Sequence, residues 1–321
     1  VSETMRAARQ LRLLLSAFAF AGLAGCEPVG LSSPPTAAAP RDIAPPEPIV
    51  VPPSAESIAA RDYYARVEQN YLAQGLLRVD DGSEDAPFTA RDLAENFLRI
   101  AFYEELAERD GELVSSGGES RLHRWQQPVR IEVVFGASIP TVQRSSDRAE
   151  IATYAQRLSR LTGLPIRLTG RRANHTVLIL NTDERKTTEP QLRALVPGIS
   201  AAAVRSVREM RPDIYCTVFG FTPGQSAAYT RAITVIRGEL PERLRRLCIH
   251  EELAQSLGLI ADYPRARPSI FNDNEEFALL TRQDELMLRM LYDPRLRPGM
   301  TLQEARPIVA TIAAELMGGE S

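Results

Sequence analysis

The sequence predicts an α+β fold, and three observations carry that prediction. Short alternating runs such as Arg130-Ile-Glu-Val-Val-Phe135 read as strands, because successive strand side chains point to opposite faces. Longer stretches with apolar residues one helical turn apart, such as Leu93, Phe97, Leu98 and Ala101, read as amphipathic helices. The two patterns are interspersed along the chain, which gives a modest mixed sheet with several helices packed on it.

The first element is a targeting segment. Arg6, Arg9 and Arg12 form a positive start, and Leu13 to Gly25 is apolar, rich in small residues and short for a membrane span. It ends Leu23-Ala24-Gly25-Cys26, which resembles the lipobox of bacterial lipoproteins. That resemblance implies a signal peptide over residues 1–25 and a diacylated, palmitate-type anchor on Cys26. The alternative is a buried apolar helix that ends in Cys by chance. Two or three acyl chains hold a protein stably on a membrane where one does so only marginally. The chain is therefore expected in the bacterial cell envelope, lipid-anchored on the periplasmic face. Glu27 stands where Asp would hold such a lipoprotein back, so the sorting rule leans to the outer membrane. Residues 26–54 read as a Pro-rich tether, with Pro34-Pro35, Pro45-Pro46 and Pro52-Pro53 interrupting any regular structure. At roughly 3 Å per residue it would hold the domain several nanometres from the bilayer.

Residues 55–119 read as an N-terminal helical segment. Ile58, Tyr63, Tyr64, Val67 and Tyr71 recur near a helical turn, Thr89 and Asp92 cap a second helix, and Ser115-Ser116-Gly117-Gly118 is a loop. Residues 120–318 read as the main domain. Its expected strands are 130–135, 166–169, 176–180, 214–221 and 231–236; its expected helices are 142–162, 191–196, 201–208 and 241–257, the last stopped by Gly258. Thr281 with Asp284, and Thr301 with Glu304, each start a closing helix.

The charge balance excludes one class of partner. The net charge is −3, and no run of basic residues forms a nucleic-acid face. Expected partners are the membrane, through the anchor, and an envelope protein or peptide. With Cys26 assigned to lipid, Cys216 and Cys248 remain as an even pair in an oxidising compartment, and a disulfide is expected; two buried thiols are the alternative.

The chemistry concentrates in Cys248-Ile-His-Glu-Glu-Leu-Ala-Gln-Ser-Leu-Gly-Leu259. On a helix this run is apolar nearly all round, so it is expected to be buried. Glu251 and Gln255 lie one turn apart on one side, flanked by His250 and Glu252. Buried ionisable groups need partners or a metal. The run is similar in layout to the zinc helix of metzincin-type peptidases, in which two His one turn apart bind zinc and the Glu beside the first activates water. Ser269-Ile270-Phe271 resembles the tight Met-containing turn of those enzymes, and Thr281 to Tyr292 the helix that closes their domain. The resemblance implies a zincin-like mixed sheet with a buried helix and capped C-terminal helices. Here Glu251 and Gln255 stand where the first two His belong, Glu252 is the base, Asp262 falls one residue beyond the third ligand, and Phe271 replaces the Met. The run also resembles a bacterial family, domain of unknown function 2927, together with Ser269-Ile-Phe-Asn-Asp and Asp284 through Gly299, over most of residues 120–300.

Two functions follow as expectations. One is a degenerate zincin-like domain without peptidase activity that binds or scaffolds. The other is a metal-dependent or carboxylate-assisted peptidase or hydrolase, with Glu251 or Glu252 as base and His250, Gln255 or Asp262 as ligand. Zinc is the candidate cofactor for the second; the first needs none. A blander reading pairs Glu251 and Gln255 with Arg265 or Arg267. Trp125 is expected to pack at a strand start, and Asn272-Asp273-Asn274-Glu275-Glu276 to be a solvated loop.

Overall fold

A computed structural model describes residues 51–318. The expected signal peptide, the expected anchor residue Cys26 and the expected tether up to residue 50 lie outside the described residues.

Two helices open the described chain. α1 (Ala55–Ala73) starts at Ser54, whose Oγ accepts from the Ser57 amide. α2 (Ala90–Ala101) starts at Thr89, which exchanges hydrogen bonds with Asp92 in a capping box. A hairpin follows that the sequence reading leaves out. β1 (Leu106–Arg109) and β2 (Glu112–Ser115) pair antiparallel across Asp110-Gly111, at φ 52° and 78°. A two-residue turn with both residues left-handed matches the twist of its strands, and Asp-Gly adopts it readily.

After the short β3 (Arg124–Trp125) the main sheet begins with β4 (Val129–Phe135). α3 (Thr141–Thr162) ends at Gly163 in the left-handed region. β5 (Ile166–Leu168) and β6 (His175–Leu180) follow, then α4 (Thr182–Lys186), α5 (Glu189–Leu195) and α6 (Ala201–Arg208). β7 (Cys216–Phe221) leads through β8 (Ala228–Tyr229) into β9 (Arg231–Arg237). The buried helix α7 (Glu242–Gln255) comes next, then a 3-10 turn at Ile270–Asn272, α8 (Arg282–Leu291) and α9 (Leu302–Leu316). Both expected caps, Thr281 with Asp284 and Thr301 with Glu304, are formed.

The fold is mixed α+β. Its five-stranded sheet has the order β5-β4-β6-β9-β7. The first four strands are parallel, and β7 runs antiparallel to β9 with Cys216 opposite Ile236 and Phe221 opposite Arg231. β7 is therefore an edge. Helices cover both faces, as a mostly parallel sheet requires. Val177 and Ile179 of β6 point to the core shared with α3, α7 and α8, whereas Leu178 and Leu180 point to a second core against α5 and α6. Tyr64 of α1 and Phe97 of α2 are buried in the first core, so the segment before residue 120 is built into it.

Candidate functional site

The site is organised by α7, whose C-terminal end is fixed from three directions. Trp125 Nε1 donates to the carbonyl of Ser256 at 2.8 Å, and the Tyr292 hydroxyl donates to that of Leu257 at 3.0 Å. These bonds satisfy carbonyls that a helix end leaves without partners. Trp125 thus packs at its strand start, as expected, and also caps α7. Gly258 adopts φ 128°, and a Cβ there would lie 2.1 Å from the carbonyl oxygen of His123. Only glycine fits this stop. The disulfide expected between Cys216 and Cys248 is present, with the two Cα atoms 5.8 Å apart, and it ties the edge strand β7 to α7.

The two sides of α7 do different things. His250, expected among the metal ligands, faces α3 and α8 and is only 4% exposed. The Leu280 amide donates to its Nδ1 at 3.2 Å, which places the proton on Nε2, 3.0 Å from Glu150 Oε1. The ring stacks on Tyr154 with centroids 3.9 Å apart, and the Tyr154 hydroxyl donates to the His250 carbonyl at 2.9 Å. Burial holds the imidazole below its usual pKa, and its hydrogen bond helps hold Glu150 below the usual carboxylate range. Both ring nitrogens are occupied, so the assignment of His250 as a ligand is corrected: it is a packed core residue. His175 is also fully buried, bound to Thr234 and pushed down to about 4 by burial. His123 stacks on Tyr229.

On its other side α7 turns Glu251, Glu252 and Gln255 into a cavity of about 610 Å³. Cys216, Thr217 and Val218 of β7 form one wall, and the β1–β2 hairpin forms another. Asp262 joins from the loop after Gly258, and its Oδ1 accepts from Gln255 Nε2 at 3.4 Å. Glu252 lies at the floor, 4% exposed, and its Oε2 has no hydrogen-bond partner. Glu251 and Asp262 are half-buried, while Glu105 and Asp273 stand exposed at the mouth.

Burial, followed by the negative charges of Asp262, Glu252 and Glu105, holds Glu251 well above the usual carboxylate pKa. Burial, then Glu105 and Asp262, does the same to Glu252. Burial, then Glu105 and Asp273, raises Asp262, and the Gln255 amide offsets part of that rise. Like charges crowded in a water-poor space resist ionising together. The arginines on the far wall are engaged elsewhere: Arg211 with Asp213, and Arg205 with the Gly111 carbonyl. Arg267, a proposed partner for Glu251 or Gln255, binds Glu276 at 2.9 Å instead.

Zinc does not fit this donor set. No imidazole reaches the cavity, and the Gln255 amide is turned to Asp262. Among the described residues no three His, Cys, Asp or Glu side chains gather closely enough to hold a metal ion. Carboxyls and an amide suit cations of a different kind, and a buried carboxyl with a raised pKa can hold or accept a proton.

The sequence reading missed Glu105, Asp273 and Glu275 as site residues. All three line the cavity. Asp273 and Glu275 belong to the acidic run read as a solvated loop; both adopt left-handed backbone, and Glu275 accepts from the Tyr71 hydroxyl at 3.3 Å. The acidic run at 273–276 was visible in the sequence, but its placement at the cavity was not.

Fold and site together define a disulfide-linked mixed α+β domain with a carboxyl-lined cleft beside a sheet edge. Residues 90–311 match the family described as Protein of unknown function (DUF2927), and the chain belongs to that family. The match takes in α2 and most of α9, a wider span than residues 120–300. Neither a curated protein nor a solved structure matches the chain.

Proposed function

We propose that this chain is a lipid-anchored protein of the bacterial cell envelope whose zincin-like domain binds an extended peptide and serves as a binding or scaffolding module. The anchor rests on the basic start, the apolar core and Leu23-Ala24-Gly25-Cys26. The zincin-like reading rests on the order of parts: strand β9, buried helix α7 ending at Gly258, the turn at Ile270–Asn272, then α8. One observation carries the peptide. β7 is a sheet edge, and the outward backbone groups of Cys216 to Gly220 take no hydrogen bond from another described segment, yet Cys216 to Val218 line the same cavity as the α7 carboxyls. An extended peptide adds to such an edge through main-chain hydrogen bonds.

A second reading, carboxylate-assisted hydrolysis, is favoured by one observation: Glu252 is buried, without a partner and held protonated more readily than usual, as a general acid or base often is. One experiment separates the two. The full chain in detergent is incubated with a fluorescent, internally quenched peptide library and followed for both binding and turnover. Binding without turnover is the expected result. Turnover that is lost in Glu252→Gln would overturn the non-catalytic reading. For the anchor, Cys26→Ala is expected to release the protein from the membrane fraction of its native host.

A further inference from the structure

We propose that the cleft selects a peptide bearing a lysine or arginine, whose cationic head enters the acid-lined end of the cavity beside Glu252. This deepens the peptide-binding reading and rests on it. Four features of the cavity lead to it.

The first is a set of acidic groups with no basic partner. Glu251, Glu252 and Asp262 line one cavity from α7 and the following loop, and no arginine or lysine of the described chain is paired with any of them. A carboxyl removed from water without a partner resists ionising, and an incoming cation favours its charged form. The second is Glu252 itself. It is almost wholly buried, its Oε2 meets no donor, and it lines the cavity. Buried polar groups are rarely left without a partner, so an unpaired carboxyl at the cavity floor is a place that an incoming donor would relieve.

The third is spacing. The carboxyls do not close on a common point as metal ligands do, and they line part of a cavity of about 610 Å³. A bare ion would reach one or two of them. A guanidinium or ammonium head has several N–H donors spread over its surface and satisfies several separated acceptors at once. The fourth is register. A strand laid along β7 points alternate side chains to the two faces of the sheet, so every second residue of a peptide held by Cys216 to Val218 can face α7, one of them at the carboxyls. A peptide with an acidic residue there would meet like charge and is excluded.

The test uses the full chain in detergent and fluorescence anisotropy. Labelled, end-blocked hexapeptides of alanine and threonine carry arginine, its neutral isostere citrulline, or glutamate at one position; labelled spermidine is the control. The arginine peptide is expected to bind at least about tenfold more tightly than the citrulline peptide, with the glutamate peptide weakest. The arginine preference is expected to vanish in Glu252→Gln and to shrink in Glu105→Gln, a rim substitution that keeps the test available if the buried variant does not fold. Equal affinity for arginine and citrulline would overturn this proposal and leave the peptide reading standing. Failure of every peptide to bind would overturn both. Binding of spermidine alone would overturn both as well, since the cleft would then take a free amine.

Discussion

Nε2 of His250 lies 3.0 Å from Oε1 of Glu150, so the histidine of α7 is committed to α3 and not to the cleft. His250→Ala removes two buried hydrogen bonds and a stacked ring, and is expected to lower the unfolding free energy by about 2–4 kcal/mol. Peptide affinity of the folded variant should change little. Urea unfolding and anisotropy on the same sample check both; a variant of unchanged stability that no longer binds would contradict the assignment.

The carboxyls of the cleft make stability depend on pH in an unusual direction. Glu251, Glu252 and Asp262 have folded pKa values held above their unfolded ones, so the folded chain keeps protons that the unfolded chain has lost. The native state binds more protons, and stability therefore falls as pH rises through the window from the unfolded to the folded values. Buried His175 and His250, with lowered pKa values, act oppositely, but only below their unfolded value of about 6.5. Between their unfolded values and their raised folded ones, the three carboxyls therefore contribute a negative slope. Glu252→Gln should flatten it. Urea midpoints measured from pH 6.5 to 8.5 decide the matter, and a midpoint rising with pH would refute it.

A cation entering the cleft must displace those retained protons. Affinity for the arginine peptide is accordingly expected to rise with pH over the same interval, with net proton release on binding. Calorimetric titration in two buffers of different ionisation enthalpy measures that release directly. Proton uptake would mean that the ligand head is not where the carboxyls are.

Asp284 joins the turn at Ile270–Asn272 to α8. Its carboxyl accepts from Ser269 Oγ at 2.6 Å, the Ile270 amide at 3.1 Å, and the Thr281 amide and hydroxyl at 2.9 and 2.8 Å. Burial nevertheless raises its pKa to about 6. Asp284→Ala leaves these buried donors without an acceptor and removes a helix cap, an expected loss of about 2–4 kcal/mol. Asp284→Asn keeps one acceptor and turns an amide towards the donors, so it should recover only part of that loss in the same unfolding assay.

Replacing Cys216 and Cys248 together by Ser frees a loop of 32 residues in the unfolded chain. The loop-entropy relation gives an expected loss of about 3–4 kcal/mol. Peptide affinity should fall too, since β7 is then free to shift against α7. Thermal melts and anisotropy of the double variant test the two effects.

Much of this was legible in the chain. The burial of α7 followed from apolar residues on nearly every side, and its stop from Gly258. A 100° step per residue set Glu251 and Gln255 on one side together. The same step separates His250 from Glu251, and local sequence could not say which of the two faced the cleft; Tyr154, Glu150 and the Leu280 amide decide it from 30 or more residues away. The β1–β2 hairpin was signalled by Asp110-Gly111, but its strands show only partly buried residues and no strong alternation. Glu105 and Asp273 reach the site only because the hairpin and the loop after the 3-10 turn fold toward the edge strand, a long-range placement that no local pattern records.

The bond between Cys216 and Cys248 has a consequence for the life history of the molecule. Thiols stay apart in the cytosol and couple after secretion. Before that coupling, β7 would be held through its pairing with β9 and its packing on α7, without the covalent tie to Cys248. On the proposed export the cleft would take its final form only once this bond has closed, which ties the shape of the proposed binding edge to the redox state of the compartment.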